Sequence, residues 1–113
     1  MRTTETQQPA CAVHYKGIVI GGSAGGVEGL TAIFAALPSD FKLPVLVVQH
    51  LHPGDHGSFA RHLARITQLT VVEPCDKERI ERGRVYAAPA KYHMLVERNG
   101  TISLSVDEKV NWS

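Results

Sequence analysis

Residues 17–21 form the first continuous, β-branched apolar run in the chain. A short, continuous, β-branched run of this kind is typical of a strand buried on both faces, as in a parallel sheet. A glycine-rich turn follows, and from Val27 to Leu37 the apolar residues recur at helical spacing before Pro38. The pattern therefore predicts a strand, a tight turn and a helix in direct succession.

The same succession is repeated further along the chain. A second continuous apolar run covers residues 44–49 and gives way to a loop at 50–54. Ser58 is expected to cap a second helix, which runs to about Ile66 with Phe59, Leu63 and Ile66 on one side. Shorter runs at 69–72 and 85–88 predict a third and a fourth strand. Asn99-Gly100 separates apolar-rich segments 92–98 and 101–106, which is a strong hairpin pattern.

Alternating strands and helices in this order indicate βαβ units with right-handed crossovers. We therefore predict an α/β fold: a doubly wound, mostly parallel sheet with helices on both faces and an antiparallel hairpin near the C-terminal end of this chain. Residues 1–16 are polar and lack the apolar middle of a signal peptide, so they are expected to form a flexible leader. Residues 17–113 are expected to form a single partial domain.

Composition and charge exclude several classes of protein. The 113 residues carry a formal net charge of +1, with acidic and basic residues interleaved, which argues against a nucleic-acid-binding surface. No apolar run approaches the roughly 18 residues of a membrane span, so membrane insertion is not expected. The two cysteines, Cys11 and Cys75, form no metal-binding pair and suit free thiols in a reducing cytoplasm. A cytoplasmic location is therefore predicted.

The glycine turn contains a candidate nucleophile, Ser23, in the pattern G-x-S-x-G. Such a turn holds a serine above the carboxyl end of a strand, and the backbone N–H groups of Ala24 and Gly25 can stabilise an oxyanion. A dinucleotide-binding turn is the first alternative, but that motif needs glycine at the position of Ser23 and an acid after the second strand. A purely structural glycine turn is the second alternative, because such turns recur in α/β folds.

His50 is the candidate base, because it follows the second long strand as Ser23 follows the first. In open parallel sheets the carboxyl ends of neighbouring strands lie at one edge, so the two side chains are expected to lie close together. The segment from His50 to His56 also resembles the zinc-ligand run of metallo-β-lactamases, but one extra residue separates His52 from Asp55, and no metal or other cofactor is expected. No acid in the chain stands out as a third triad member.

Together these stretches resemble the catalytic domain of the CheB-type chemotaxis protein-glutamate methylesterases. The matching segments occur in family order from residue 17 to about 105, so the set is specific although each piece alone is weak. They are residues 18–26, 47–51, 58–63, 83–89 and 93–95.

The resemblance implies that Ser23 is the nucleophile, His50 its base and His93 a residue near the edge of the site. The implied substrates are glutamate methyl esters on the cytoplasmic helices of chemoreceptors, with glutamine deamidation in some members. The family commonly has threonine where Ala24 stands, and its orienting aspartate lies in a later glycine-rich segment that this chain does not contain. The chain is therefore expected to be the N-terminal half of the domain, weakly active or inactive, with a sheet edge open to self-association. A non-catalytic module that binds an anion or a receptor segment is the alternative.

Overall fold

The computed structural model describes residues 16–22 and 27–106. The predicted leader falls almost entirely outside these residues, and so does the segment after Val106. Two helices and seven strands are found within the described ranges. In chain order they are β1 (Ile18–Gly22), α1 (Val27–Ala36), β2 (Val45–Gln49), α2 (Ser58–Ile66), β3 (Thr70–Val72), β4 (Glu78–Arg79), β5 (Arg84–Ala87), β6 (Tyr92–Val96) and β7 (Thr101–Val106).

Four of these strands form a parallel sheet in the order β1-β2-β5-β3, which we call sheet A. The remaining three form an antiparallel sheet in the order β4-β7-β6, which we call sheet B. The predicted hairpin is confirmed as β6 and β7, and Gly100 adopts a φ of 84° in the turn between them, a conformation that favours glycine. The α/β class and the mostly parallel sheet are confirmed.

Both described helices pack on the same face of sheet A, here called the helix face. Phe34 of α1 and Leu63 of α2 are fully buried there against Val45, Val47 and Val85 of the sheet. The helix α1 stops at Ala36 because Leu37 precedes Pro38, and a residue before proline is pushed out of the helical region. Ile33, one of the apolar residues at helical spacing between Val27 and Leu37, is 46% exposed.

Sheet B covers part of the opposite face of sheet A, here called the strand face. Ile102 of β7 packs there against Leu46 and Tyr86. Within residues 16–22 and 27–106 no helix packs on the strand face, because the segment after β5 turns back as strands, and helices on both faces stay a prediction. The two-residue strand β4 was not predicted either, since two residues carry no periodic pattern.

The strand face is incompletely covered near β1, which is an edge strand of sheet A among the described residues. Val19 is 70% exposed and Val48, on the neighbouring strand, is 40% exposed. The prediction that the first strand is buried on both faces is thus wrong for this face, where no described element packs over Val19. Self-association through an open sheet edge stays a prediction. No described helix is both long and apolar enough to cross a membrane.

Candidate functional site at the carboxyl rim

The carboxyl ends of the four parallel strands form one edge of sheet A, here called the carboxyl rim. Along this rim β1 and β2 pair in register to their last residues, with Gly22 opposite Gln49. Ser23 is the residue after Gly22, and His50 is the residue after Gln49. Ser23 itself, with Ala24 and Gly25, lies outside the described residues. The two strand ends that precede the predicted nucleophile and base are therefore neighbours, as the topology argument requires.

His50 leaves the end of β2 as an exposed residue of the loop that leads to α2. Because the residue is exposed, His50 is not a packed core side chain. An exposed histidine at a strand end is accessible to a substrate approaching the rim.

Gln49 and Gly22 form a close contact that the sequence analysis missed. Gln49 is 8% exposed, on the helix face, in a strand otherwise made of apolar residues. A Cβ atom added at Gly22 would lie 2.6 Å from Oε1 of Gln49 and 3.6 Å from Cδ1 of Leu30. The sequence shows only that the apolar run of β2 ends in a polar residue, Gln49. That this residue faces Gly22 depends on how the two strands pair.

The loop between β2 and α2 is closed by its own hydrogen bonds. Nδ1 of His52 accepts a bond from the N–H of Gly54 at 3.0 Å, and the Asp55 carboxylate accepts bonds from the Gly57 N–H at 2.9 Å and the Ser58 hydroxyl at 2.8 Å. His52 and Asp55, in the segment that resembles a zinc-ligand run, thus accept hydrogen bonds from within the loop. No group of three or more His, Cys, Asp or Glu side chains that could hold a metal occurs within residues 16–22 and 27–106.

Asp55, rather than Ser58, caps the start of α2. The predicted capping role of Ser58 is wrong, because Gly57 occupies the N-cap position with φ 92° and Ser58 is the first helical residue. Burial raises the pKa of Asp55, but the hydroxyl of Ser58 and the backbone N–H groups of Gly57, Phe59 and Ser58 outweigh it, so the pKa falls below its ordinary value. Asp55 is therefore committed to the helix start as an anion.

Glu73 lies at the same rim, directly after β3. Burial raises the pKa of Glu73, the nearby charge of Asp55 raises it further, and Arg61 of α2 opposes both. A Cβ atom at Gly57 would meet Nη1 of Arg61 at 3.1 Å and Oε1 of Glu73 at 3.7 Å, so these groups surround the N-cap glycine. Asp55 of the loop and Glu73, which follows β3, thus both lie near the start of α2.

His93, the predicted residue at the edge of the site, lies on β6 of sheet B. It is exposed and pairs in register with Ser105 of β7. The strand β6 begins shortly after β5 reaches the carboxyl rim, so His93 enters the fold on that side of the sheet. Its role at the site stays a prediction.

Fold and site together define an α/β protein with a mostly parallel sheet, whose candidate site lies where neighbouring parallel strands end. Residues 18–112 match the CheB methylesterase family. The chain belongs to this family.

Individual relatives agree with the family assignment. A protein-glutamate methylesterase/protein-glutamine glutaminase of Thermotoga maritima is 41% identical over 103 residues, which cover 88% of this chain and 30% of that protein. A Leptospira interrogans relative is 40% identical over 101 residues, covering 89% of this chain and 52% of its own length. The crystal structure of the Thermotoga maritima CheB methylesterase catalytic domain superposes with a TM-score of 0.72 at 40% identity, over 84% of this chain and 51% of that one.

The chain thus spans about half the length of that catalytic domain. Residues 18–112, which match the family, include the ends of β1 and β2.

Proposed function

We propose that this chain contributes the nucleophile and the base of a protein-glutamate methylesterase, with Ser23 and His50 in these roles. The observation that carries the proposal is the register of β1 and β2, in which Gly22 and Gln49 pair immediately before the two residues. A hydroxyl at neutral pH needs a base within hydrogen-bond reach, and the pairing of the two strand ends supports placing Ser23 and His50 close together. Membership of the CheB methylesterase family gives the class of reaction.

In the proposed reaction, Oγ of Ser23 attacks the carbonyl carbon of a glutamate methyl ester while His50 takes the hydroxyl proton. The backbone N–H groups of Ala24 and Gly25 stabilise the oxyanion of the tetrahedral intermediate. The intermediate collapses to an acyl-enzyme, and methanol leaves with the proton from His50. Water then attacks the acyl-enzyme with the same histidine as base, which restores Ser23 and releases the glutamate carboxylate.

The proposed substrates are methylated glutamates on the cytoplasmic helices of chemoreceptors, so we place the activity in the cytoplasm. Relatives such as that of Thermotoga maritima are named for glutaminase activity as well. Attack on a side-chain amide follows the same steps with ammonia as the leaving group, so receptor glutamines are a second substrate class.

The orienting acid of the triad is proposed to come from outside these residues. Asp55, the first acid after His50, is committed to the start of α2 by bonds of 2.9 Å and 2.8 Å. A triad that lacks its acid loses about four orders of magnitude in turnover. We therefore expect slow chemistry from this chain alone. The same observation favours the second candidate, a module that binds an anion or a receptor segment without turnover.

Active-site labelling tests the proposal directly. The chain is incubated with a fluorophosphonate, and the modified peptide is located by mass spectrometry. We expect the label on Ser23, its loss in Ser23→Ala, and a rate at least about 100-fold lower in His50→Gln, since the base is removed. The matched controls Ser39→Ala and His56→Gln change an exposed serine and an exposed histidine away from the strand ends.

Labelling spread over exposed serines, or equal rates in His50→Gln and the parent chain, would contradict a serine–histidine pair. Binding of a receptor segment that persists in Ser23→Ala, with no methanol released from a methylated receptor peptide by the parent chain, would support the non-catalytic module.

A further inference from the structure

Gln49 is a polar side chain in a place that favours an apolar one. It ends the apolar strand β2, and its 8% exposure on the helix face is close to that of the core residues Leu30 and Leu69, at 5% and 7%. Burial of an amide costs free energy unless the amide is hydrogen-bonded, whereas an apolar side chain of the same length would contribute to the core. The position therefore calls for a role that an apolar residue cannot fill.

The amide of Gln49 lies directly against the end of β1. The 2.6 Å between its Oε1 and a Cβ built on Gly22 is closer than real Cβ atoms approach, so the amide occupies the space that a side chain at residue 22 would need. Cδ1 of Leu30, on α1, lies 3.6 Å from the same built atom. The amide of Gln49 thus lies against the last residue of β1, close to the helix that follows the glycine turn.

We propose that Gln49 is a positioning residue for the reaction: it fixes the backbone at Gly22, and thereby the place at which the chain leaves β1 towards Ser23. This inference rests on the proposed serine hydrolase function. The NH2 group of a side-chain amide can donate hydrogen bonds to backbone carbonyls, a means of orienting the chain that an apolar side chain of equal length lacks. Because His50 follows Gln49 directly, one short stretch of β2 carries both the base and the residue that aligns the nucleophile.

The first test replaces the amide and keeps the length of the side chain. In Gln49→Met we expect the saturating labelling rate of Ser23, kinact, to fall by about 10- to 100-fold, the size expected when a reacting group is displaced by about 1 Å. The probe concentration at half-saturation, KI, should stay within about twofold, because probe binding does not involve the amide. The apparent pKa of the rate against pH should not move, since His50 is unchanged.

The matched control is Gln68→Met, which makes the same replacement at an exposed glutamine in the turn after α2 and should leave kinact unchanged. All variants are assayed well below their midpoints of thermal unfolding, so that rates refer to folded molecules. If Gln49→Met labels at the parent rate, the positioning role is wrong while the hydrolase function stands. If Ser23 of the parent chain is not labelled at all, the proposed function fails and this inference fails with it.

The second test approaches the contact from β1. Gly22→Ala places a methyl group against Oε1 of Gln49 and should also lower kinact by about tenfold, because the amide must move. In a Gln49→Ala background the space is free, so adding Gly22→Ala should lower kinact by less than about twofold. Additive effects of the two substitutions would show that the residues act separately and would overturn the inference.

Discussion

The two faces of sheet A differ in how completely this chain covers them. On the helix face, Phe34, Val45 and Val47 have no exposed surface, whereas on the strand face Val19 is 70% and Val48 40% exposed. A groove of about 960 Å³ opens beside sheet B, and Val19, Leu46, Ile80 and Val96 contribute its apolar lining. The chain spans about half the length of the related catalytic domain, and within the described residues the helix face is the better covered one. The helix face has its own hydrophobic core, whereas the strand face is covered only where sheet B packs on it.

The largest loss of stability is expected for a substitution in the centre of the helix face. Phe34→Ala should lower the free energy of unfolding by about 3–5 kcal/mol, because it removes a fully buried ring and leaves a cavity. Urea denaturation followed by circular dichroism measures the change. The control Ile33→Ala alters the neighbouring residue, which is 46% exposed, and should cost much less. Equal losses for the two variants would mean that the helix face is not the better packed one.

A substitution in the covered part of the strand face is expected to have an intermediate effect on the free energy of unfolding. The hydroxyl of Tyr86 accepts a bond from the Glu81 N–H at 2.7 Å and donates one to the carbonyl of Arg79 at 3.2 Å, which ties sheet B to sheet A. Tyr86→Phe should cost about 1–3 kcal/mol, because it leaves these backbone groups without their partner. Tyr92→Phe, at a 44% exposed tyrosine of β6, is the matched control and should be nearly neutral. A neutral Tyr86→Phe would show that apolar packing alone holds the two sheets together.

A smaller change, a gain in stability rather than a loss, is expected for a substitution at the carboxyl rim on the helix face. Because the pKa of Glu73 is raised in the folded chain, its ionised form is less favourable there than in the unfolded chain. Glu73→Gln should therefore stabilise the protein at pH 7, by less than about 1 kcal/mol since solvent screens a part-exposed group. The gain should disappear as the pH falls below the ordinary value of 4.5, where the carboxyl is neutral in both states.

Thermal unfolding of Glu73→Gln and the parent between pH 3.5 and 7 measures this gain, with the exposed Asp40→Asn as control. A loss of stability at pH 7 that shrinks towards acid pH would mean that folding lowers the pKa of Glu73 instead of raising it.

The smallest effect is expected on the uncovered part of the strand face. Val19→Thr should change stability by no more than about 0.5 kcal/mol, because residue 19 is 70% exposed. The same substitution at Val47, which is fully buried on the helix face, should cost about 1–3 kcal/mol, since it buries a hydroxyl. Chemical denaturation of the matched pair compares the two faces directly. A costly Val19→Thr would show that a second molecule covers this face in solution, and sedimentation would then reveal the complex.

The continuous apolar runs predicted β1, β2 and the parallel class, because burial in such a sheet leaves a strong local pattern. The same pattern could not tell which face stays open, since Val19 and Val47 are the same residue type in similar runs and differ only in what packs over them. The capping role of Asp55 was missed in favour of Ser58, because it depends on how the loop folds back on itself.

At the candidate site, neighbouring strand ends followed from topology alone, since parallel strands end at one edge. The contact of Gln49 with Gly22 could not be predicted in this way. It depends on the exact register of β1 and β2 and on the conformation of the Gln49 side chain, which no local pattern encodes. Sequence reasoning thus reached the strands that bear the predicted nucleophile and base, but not the packing between them.

The phenol of Tyr86 also sets how the protein should respond to base. Burial raises the pKa of this phenol above its ordinary value of 10.0, only partly opposed by its bond with the Glu81 N–H and the charge of Arg84. The unfolded chain therefore loses this proton more readily than the folded one, so stability is full below about pH 10 and declines as the pH rises further. Alkaline solution should loosen the attachment of sheet B to sheet A before the helix face gives way.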